Sequence, residues 1–224
     1  MSEQSTCIVA GVGPGLGRAL SRRFARAGFQ VAMLARDTAR LDGIAEEIAA
    51  EGGRARGYGC DLTAEDELRA TLRRVAAELG AASLLVYNAS VWNPTPALDF
   101  KAADFQRDLF LDVTGALVAT QEVVPAMRAA GGGTLLFTGG GLALKPSMGT
   151  PVPSLATGKA ALRAFVHALA GELAPLGLRV RTVTVAGTIA PGTAFDPDRI
   201  AETFHEVYAR GDAEAPVEVK FTGG

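Results

Sequence analysis

Tyrosine, histidine and cysteine are all scarce in this chain of 224 residues. There are three tyrosines, Tyr58, Tyr87 and Tyr208, and two histidines, His167 and His205. Neither histidine sits in a cluster with metal-ligand spacing, so no resident metal is expected. Both fall within helical patterns and read as structural. The two cysteines, Cys7 and Cys60, lie in apolar, strand-like segments. That excludes a disulfide framework and fits a reducing compartment. Charge of one sign is lacking too: the net charge of −2 leaves no electrostatic footprint for nucleic acid. No apolar run is long enough to span a bilayer, and residues 1–6 are polar, without the apolar core of a signal peptide. The expectation is a cytoplasmic protein that partners neither nucleic acid nor membrane.

Glycine, by contrast, is plentiful, with 27 residues spread through turns. Its densest cluster, Ala10-Gly11-Val12-Gly13-Pro14-Gly15-Leu16-Gly17-Arg18, organises the chain. The apolar run Cys7-Ile8-Val9-Ala10 precedes it and a helical pattern follows. Strand, tight turn and helix start in that order present unpaired backbone N–H groups and the positive end of a dipole to a phosphate. Glycine lets a diphosphate come close, because a side chain would block it. The spacing is Gly-x-x-x-Gly-x-Gly, from Gly11, Gly15 and Gly17, and not the commoner Gly-x-Gly-x-x-Gly. Gly11, Gly13, Gly15, Leu16 and Gly17 are the expected phosphate-facing residues.

Beyond this turn, apolar runs alternate with helical patterns. Strands are predicted at 6–12, 30–35, 54–60, 83–87, 133–138 and 179–185, with a short last strand within 216–221. Helices are predicted at 15–27, 38–51, 64–79, 102–129, 154–174 and 198–209. Near-continuous Val/Ile/Leu strands separated by helices imply a parallel sheet covered on both faces. Right-handed crossovers then give an α/β, Rossmann-like, doubly wound sheet of about seven strands. Residues 1–224 read as one dinucleotide-binding domain of a size that suits this fold. Thr63 and Asp66 have the spacing of a capping pair. In the helix from Ser154, Leu155, Leu162, Phe165, Val166, Leu169 and Leu173 form an apolar stripe. Gly158, Ala161, Ala164, Ala168 and Gly171 form a small-residue face. That face suits either a homodimer or homotetramer contact, or a tight contact with the chain's own sheet.

Several motifs, taken in order, resemble the short-chain dehydrogenase/reductase family over nearly the full length. The Gly11/Gly15/Gly17 turn has the family's spacing. Asp61-Leu62 follows the third strand, where the family contacts adenine. Asn88-Ala89 follows the fourth strand, as in the family's Asn-Ala-Gly motif, with Ser90 in place of glycine. Lys159-Ala160-Ala161-Leu162 is similar to the family's Ser-Lys-Ala-Ala-Leu segment, with Gly158 in place of serine. Val185-Ala186-Gly187 stands where the family has a Pro-Gly. The resemblance implies a nicotinamide dinucleotide cofactor. It gives Ile189, with Gly187, the place whose backbone holds the nicotinamide carboxamide.

The second strand ends Leu34-Ala35-Arg36-Asp37. A carboxylate at the family's discriminating position would accept from the ribose hydroxyls of NAD and repel a 2′-phosphate, but Ala35 stands there. Arg36 follows, and a guanidinium pairs with phosphate through two hydrogen bonds. NADP(H) is therefore favoured. NAD(H) is the alternative, because Asp37 is one residue away and Pro14 occupies a loop position where many NADP-binding relatives carry a second cation.

The family's chemistry uses four residues: a tyrosine four positions before the lysine, the lysine, a serine near the end of the fifth strand, and an asparagine in the long fourth helix. Here they read Leu155, Lys159, Gly139-Gly140-Gly141 after Thr138, and Asp112. Only the lysine is kept. A positioned acid contributes roughly 10²–10⁴ in rate, so the loss matters. Lys159 could donate a proton itself if burial lowered its pKa, or serve only to bind the ribose. Asp112 could be an acid if burial raised its pKa, or a hydrogen-bonded stand-in for the asparagine. Leu142, Leu144, Trp92, Leu155, Ile189 and Phe195 are the expected apolar pocket wall. The resulting expectation is an NADP(H)-dependent oxidoreductase for a small carbonyl or alcohol, with a non-standard active site. The alternative is a non-catalytic NADP(H)-binding protein on the same fold.

Overall fold

The computed structural model describes residues 5–211 and 215–223, so the polar start at 1–4 lies outside the described residues. Seven strands form one parallel sheet in the order β3-β2-β1-β4-β5-β6-β7. They are β1 (Thr6–Ala10), β2 (Gln30–Ala35), β3 (Arg54–Gly59), β4 (Ala82–Tyr87), β5 (Gly133–Gly140), β6 (Leu178–Val185) and β7 (Glu218–Phe221). Helices α1 (Leu16–Arg26), α2 (Thr38–Ala50) and α7 (Pro197–Ala209) cover one face. Helices α3 (Glu65–Leu79), α4 (Ala102–Leu109), α5 (Gly115–Ala129) and α6 (Pro153–Leu173) are the remaining four. Of these, α3, α5 and α6 cover the opposite face. Along β1 the side chains alternate between the two cores, Cys7 and Val9 facing α1 and Ile8 and Ala10 facing α5.

The strand order reverses between β1 and β4. A crevice opens there at the carboxyl ends of the strands, the usual place for a ligand in this architecture. Gly11 and Asn88 sit on its two lips. The Asn88 amide donates to Gly11 O at 2.8 Å, and its backbone N–H donates to Ala10 O at 2.8 Å.

Three sequence expectations change. The helix expected over 102–129 is divided: α4 and α5 are joined by a π-helical turn, Phe110–Thr114. Such single π turns are rare insertions within helices and are frequent at functional sites. Here Gly115 leaves room for the Tyr87 hydroxyl, which donates to Leu111 O at 2.6 Å. The expected Thr63–Asp66 cap is absent. The N-cap is Ala64, without a side-chain cap; Asp61 stabilises the turn before the helix, accepting from Thr63 N at 2.9 Å and Thr63 Oγ1 at 2.7 Å, and α3 starts with Glu65, Asp66 and Glu67 in its positive first turn. Strand β1 stops at Ala10, because Gly11 turns the chain out of the sheet with φ +92°.

Against the expectation that no apolar run is long enough to span a bilayer, the stretch 102–129 is long and apolar enough to do so by length and composition, with mean hydropathy 1.2. Its inner side packs on α3, α6 and β4, as a core helix does. All three tyrosines are structural. Tyr58 donates to Glu78 at 3.0 Å, Tyr87 is fully buried, and Tyr208 packs edge-on against Phe24 and Phe29. On α6, Ala161, Ala164, Ala168 and Gly171 are exposed, whereas Gly158 faces Asp112.

Candidate functional site

A cavity of about 1030 Å³ runs along the crevice, from the glycine turn to the segment after β6. Its walls bring together most of the residues expected from sequence: Gly11, Gly13, Leu16, Gly17, Arg36, Asp61, Leu62, Asn88, Ala89, Lys159, Gly187 and Ile189 all line it. Gly15 caps α1 and does not line the cavity.

The glycines divide into two kinds. At Gly11 a Cβ would stand 2.6 Å from Ala89 Cα, and at Gly17 one would stand 2.6 Å from Gly11 O. These two let the turn, α1 and β4 close on one another. At Gly13 and Gly15 a Cβ would meet nothing within 4 Å. They leave open space before a helix whose first turn carries no side-chain cap and no acidic residue. This is the shape and polarity that a diphosphate requires.

At the adenine end, Asp37 is already engaged. It caps α2 by accepting from Arg40 N at 3.1 Å and pairs with the Arg40 guanidinium at 2.8 Å. Its charge is thus partly neutralised by Arg40. Arg36 and Arg40 line the cavity beside it. Asp61 is held below the usual carboxylate range: burial pushes it up, but the two Thr63 hydrogen bonds and the charges of Arg107 and Arg36 outweigh that.

At the opposite end, four hydrogen bonds lock the strand ends together. Lys159 Nζ donates to Thr138 O at 2.9 Å, and Thr138 Oγ1 donates to Asn88 Oδ1 at 2.8 Å. Asn88 then donates to Gly11 O, and Thr182 Oγ1 donates to Phe137 O at 3.0 Å. Lys159 is buried, and burial lowers its pKa, with Asp112 opposing. Leu155 stands one helical turn before it in the cavity wall, and Gly140 backs onto the lysine's alkyl stem.

Asp112 is fully buried and does not line the cavity. Its carboxylate packs against Gly158, and neither oxygen makes a hydrogen bond. Burial raises its pKa to about 7. Lys159 pulls the other way, Asp108 adds to the rise, and the Val91 N–H, outside hydrogen-bonding geometry, lowers it. The expected pocket wall holds for Trp92, Leu142, Leu144, Leu155 and Ile189. Phe195 instead turns inward beneath Gly187 and packs on Phe221.

Sequence reasoning misses Asp108. It lies one turn before Asp112, lines the cavity and is 8% exposed. Ser154 Oγ donates to its Oδ2 at 2.7 Å and Asn93 Nδ2 donates to the same oxygen at 3.1 Å. The signal available in the sequence is the i,i+4 spacing of two acids in the apolar run Asp108-Leu109-Phe110-Leu111-Asp112.

Comparison with known proteins agrees with this geometry. A family model described as short chain dehydrogenase matches residues 5–198. The 7alpha-hydroxysteroid dehydrogenase of Escherichia coli strain K12 is 32% identical over 185 residues, covering 83% of this chain and 69% of that protein. The short-chain reductase protein NovJ of Streptomyces niveus is 29% identical over 204 residues, covering 90% and 74%. A metagenomic short-chain oxidoreductase solved in complex with NADP superposes with a TM-score of 0.83 at 27% identity, covering 97% of both chains. A 7 alpha-hydroxysteroid dehydrogenase complexed with NADH and 7-oxo glycochenodeoxycholic acid superposes with a TM-score of 0.87 at 26% identity, covering 98% and 93%. Motif order, sheet topology and these likenesses converge: the chain belongs to the short-chain dehydrogenase family.

Proposed function

We propose that the protein is an NADP(H)-dependent oxidoreductase, acting on a carbonyl or alcohol with a non-standard active site. The observation that carries this reading is the single cavity that joins the open glycine turn, Arg36 and Lys159. Bound there, a nicotinamide dinucleotide supplies a hydride donor or acceptor. The chain's own residues do the rest. The α1 N-terminus and the open face at Gly13 and Gly15 bind the diphosphate. Arg36 faces the 2′-position while Asp37 is kept on Arg40. Leu62 and Asp61 flank the adenine. Gly187 and Ile189 border the carboxamide end. Lys159 is the ribose ligand and a buried charged donor at this end. Asp112 acts through it, as a second charge that sets the lysine's protonation.

The test is steady NADPH oxidation across a panel of ketones, aldehydes and cyclic imines, with Lys159→Ala as control. Turnover above the buffer rate that is lost in the variant supports the reading. Absence of turnover with NADPH demonstrably bound would overturn it. A second reading, a non-catalytic NADP(H)-dependent binding protein, is favoured by one observation: Leu155 and Gly140 remove both hydroxyls that the family uses to hold and protonate a substrate oxygen. It predicts a ligand or partner whose affinity depends on cofactor and no chemistry on either.

A further inference from the structure

We propose that the carbon exchanging hydride in this site is bonded to a cationic nitrogen, an iminium ion in one direction and an amine in the other, with Asp108 as the anion that holds the charge. This rests on the oxidoreductase reading and puts an iminium or amine in place of its carbonyl or alcohol.

The first argument concerns the proton. A carbonyl that accepts hydride becomes an alkoxide and needs an acid at its oxygen. Thr138 Oγ1 donates to Asn88 and Ser154 Oγ donates to Asp108, and the other hydroxyls lining this end of the cavity, Ser90 and Thr188, have no base beside them in the hydrogen-bond network to make them acids of use here. Lys159 Nζ already donates to Thr138 O. An iminium needs no acid. The reduced nicotinamide loses two electrons as hydride, the hydride forms the new C–H bond, and the C=N π pair becomes the nitrogen lone pair. The amine then takes a proton from water.

The second argument concerns Asp108. It is more than nine-tenths buried and lines the cavity. Ser154 and Asn93 both bind Oδ2, which fixes the carboxylate and leaves Oδ1 without a donor. A carboxylate anchored through one oxygen keeps the other free for a charge-assisted hydrogen bond, and a cation bound in the cavity that Asp108 lines is the partner that forms it. The same carboxylate keeps an imine in its protonated, electrophilic form. Its place is right as well. Asp108 lines the same cavity as Leu155, the position from which a tyrosine hydroxyl would act, and Lys159. The other charges at this end do not compete. Lys145 is exposed at the rim, Arg107 pairs with Asp61 at 3.0 Å, and Lys159 is turned onto Thr138 O. Trp92, Leu142, Leu144 and Met148 supply apolar walls for the hydrocarbon.

The experiment has two readouts. With NADPH, reduction of 3,4-dihydroisoquinoline is compared with that of 1-indanone, a ketone of similar size. With NADP⁺ bound, titration calorimetry compares tetrahydroisoquinoline with isochroman, its uncharged oxygen analogue. The expected results are imine turnover at least about tenfold faster than ketone turnover, and amine binding about tenfold tighter than isochroman. Asp108→Asn retains an acceptor for Ser154 and is expected to abolish the binding preference and cut imine kcat/KM at least about tenfold. Retained NADP⁺ affinity in the variant shows that it is folded. Ketone turnover with equal binding of amine and isochroman overturns this proposal and leaves the oxidoreductase reading standing. No turnover of either compound, with cofactor bound, overturns both.

Discussion

The carboxylate of Asp112 lies against the bare Cα of Gly158: a Cβ built on Gly158 would stand 2.7 Å from Asp112 Cβ and 2.8 Å from Cγ, and would overlap Oδ2. The glycine that replaces the family's serine before the lysine thus has a steric reason in this chain. Gly158→Ala is expected to destabilise the fold by about 1–3 kcal/mol, the usual cost of overpacking a buried contact. Urea unfolding of variant and wild type measures it, and coincident midpoints would contradict the contact.

Asp112 also makes stability depend on pH in an uncommon direction. Its folded pKa is about 7, raised from 3.8 by burial, so the folded state holds its proton more tightly than the unfolded chain. The contribution is full below pH 3.8 and is lost as pH rises to about 7. Roughly three pKa units correspond to about 4 kcal/mol at most. Asp112→Asn removes that dependence. Thermal unfolding from pH 4 to pH 8 is expected to show wild type losing stability relative to Asp112→Asn as pH rises. Parallel curves would rule out a buried, unpaired carboxylate.

Arg36 is the predicted source of cofactor preference. Asp37 is engaged by Arg40 through a cap and an ion pair, and Arg36 lines the cavity beside it, placed to meet a 2′-phosphate. A charge-assisted, two-point contact is worth about 1.5–3 kcal/mol. Arg36→Ala is expected to weaken NADPH binding about 10- to 100-fold and NADH binding little. Equal losses for both nucleotides would place Arg36 in solvent.

Leu155→Tyr is expected to restore what the site lacks for carbonyl chemistry. Residue 155 is one helical turn before Lys159, so a phenol there would share the lysine's face. Gly140→Ser completes the pair. Its Cβ would come within 3.1 Å of Lys159 Cγ, a contact the flexible stem can relieve. The double variant is expected to raise NADPH-driven ketone reduction at least about tenfold, well within the range of a positioned acid. No change in rate with NADPH affinity intact would show that these two positions are not what limits the wild type.

Much of the fold was legible in the sequence because one-dimensional patterns report it. Unbroken apolar strands announced a sheet buried on both faces; five of the six helical patterns are found as single helices, the sixth is split into α4 and α5, and the short last strand is found. Asn88, Ala89, Arg36 and Lys159 could be placed at the crevice because each follows a strand or occupies a known helical turn. The rest depends on contacts between distant segments. Nothing in the local pattern says that Tyr87, 24 residues away, takes the Leu111 carbonyl beneath the π turn. Asp108 reads as an ordinary surface acid in α4 until Ser154, 46 residues later, is seen donating to it. Phe195 was expected in the pocket wall because it is apolar. It packs beneath Gly187 because only a glycine there leaves room for the ring.

The measurement that bears most directly on the central claim is a titration of NADPH and of NADH, followed through the fluorescence of Trp92, which lines the cavity. The account predicts saturable quenching by both, with NADPH at least about tenfold tighter, as one charge-assisted phosphate contact requires. No saturable change with either nucleotide, or tighter binding of NADH, would contradict it.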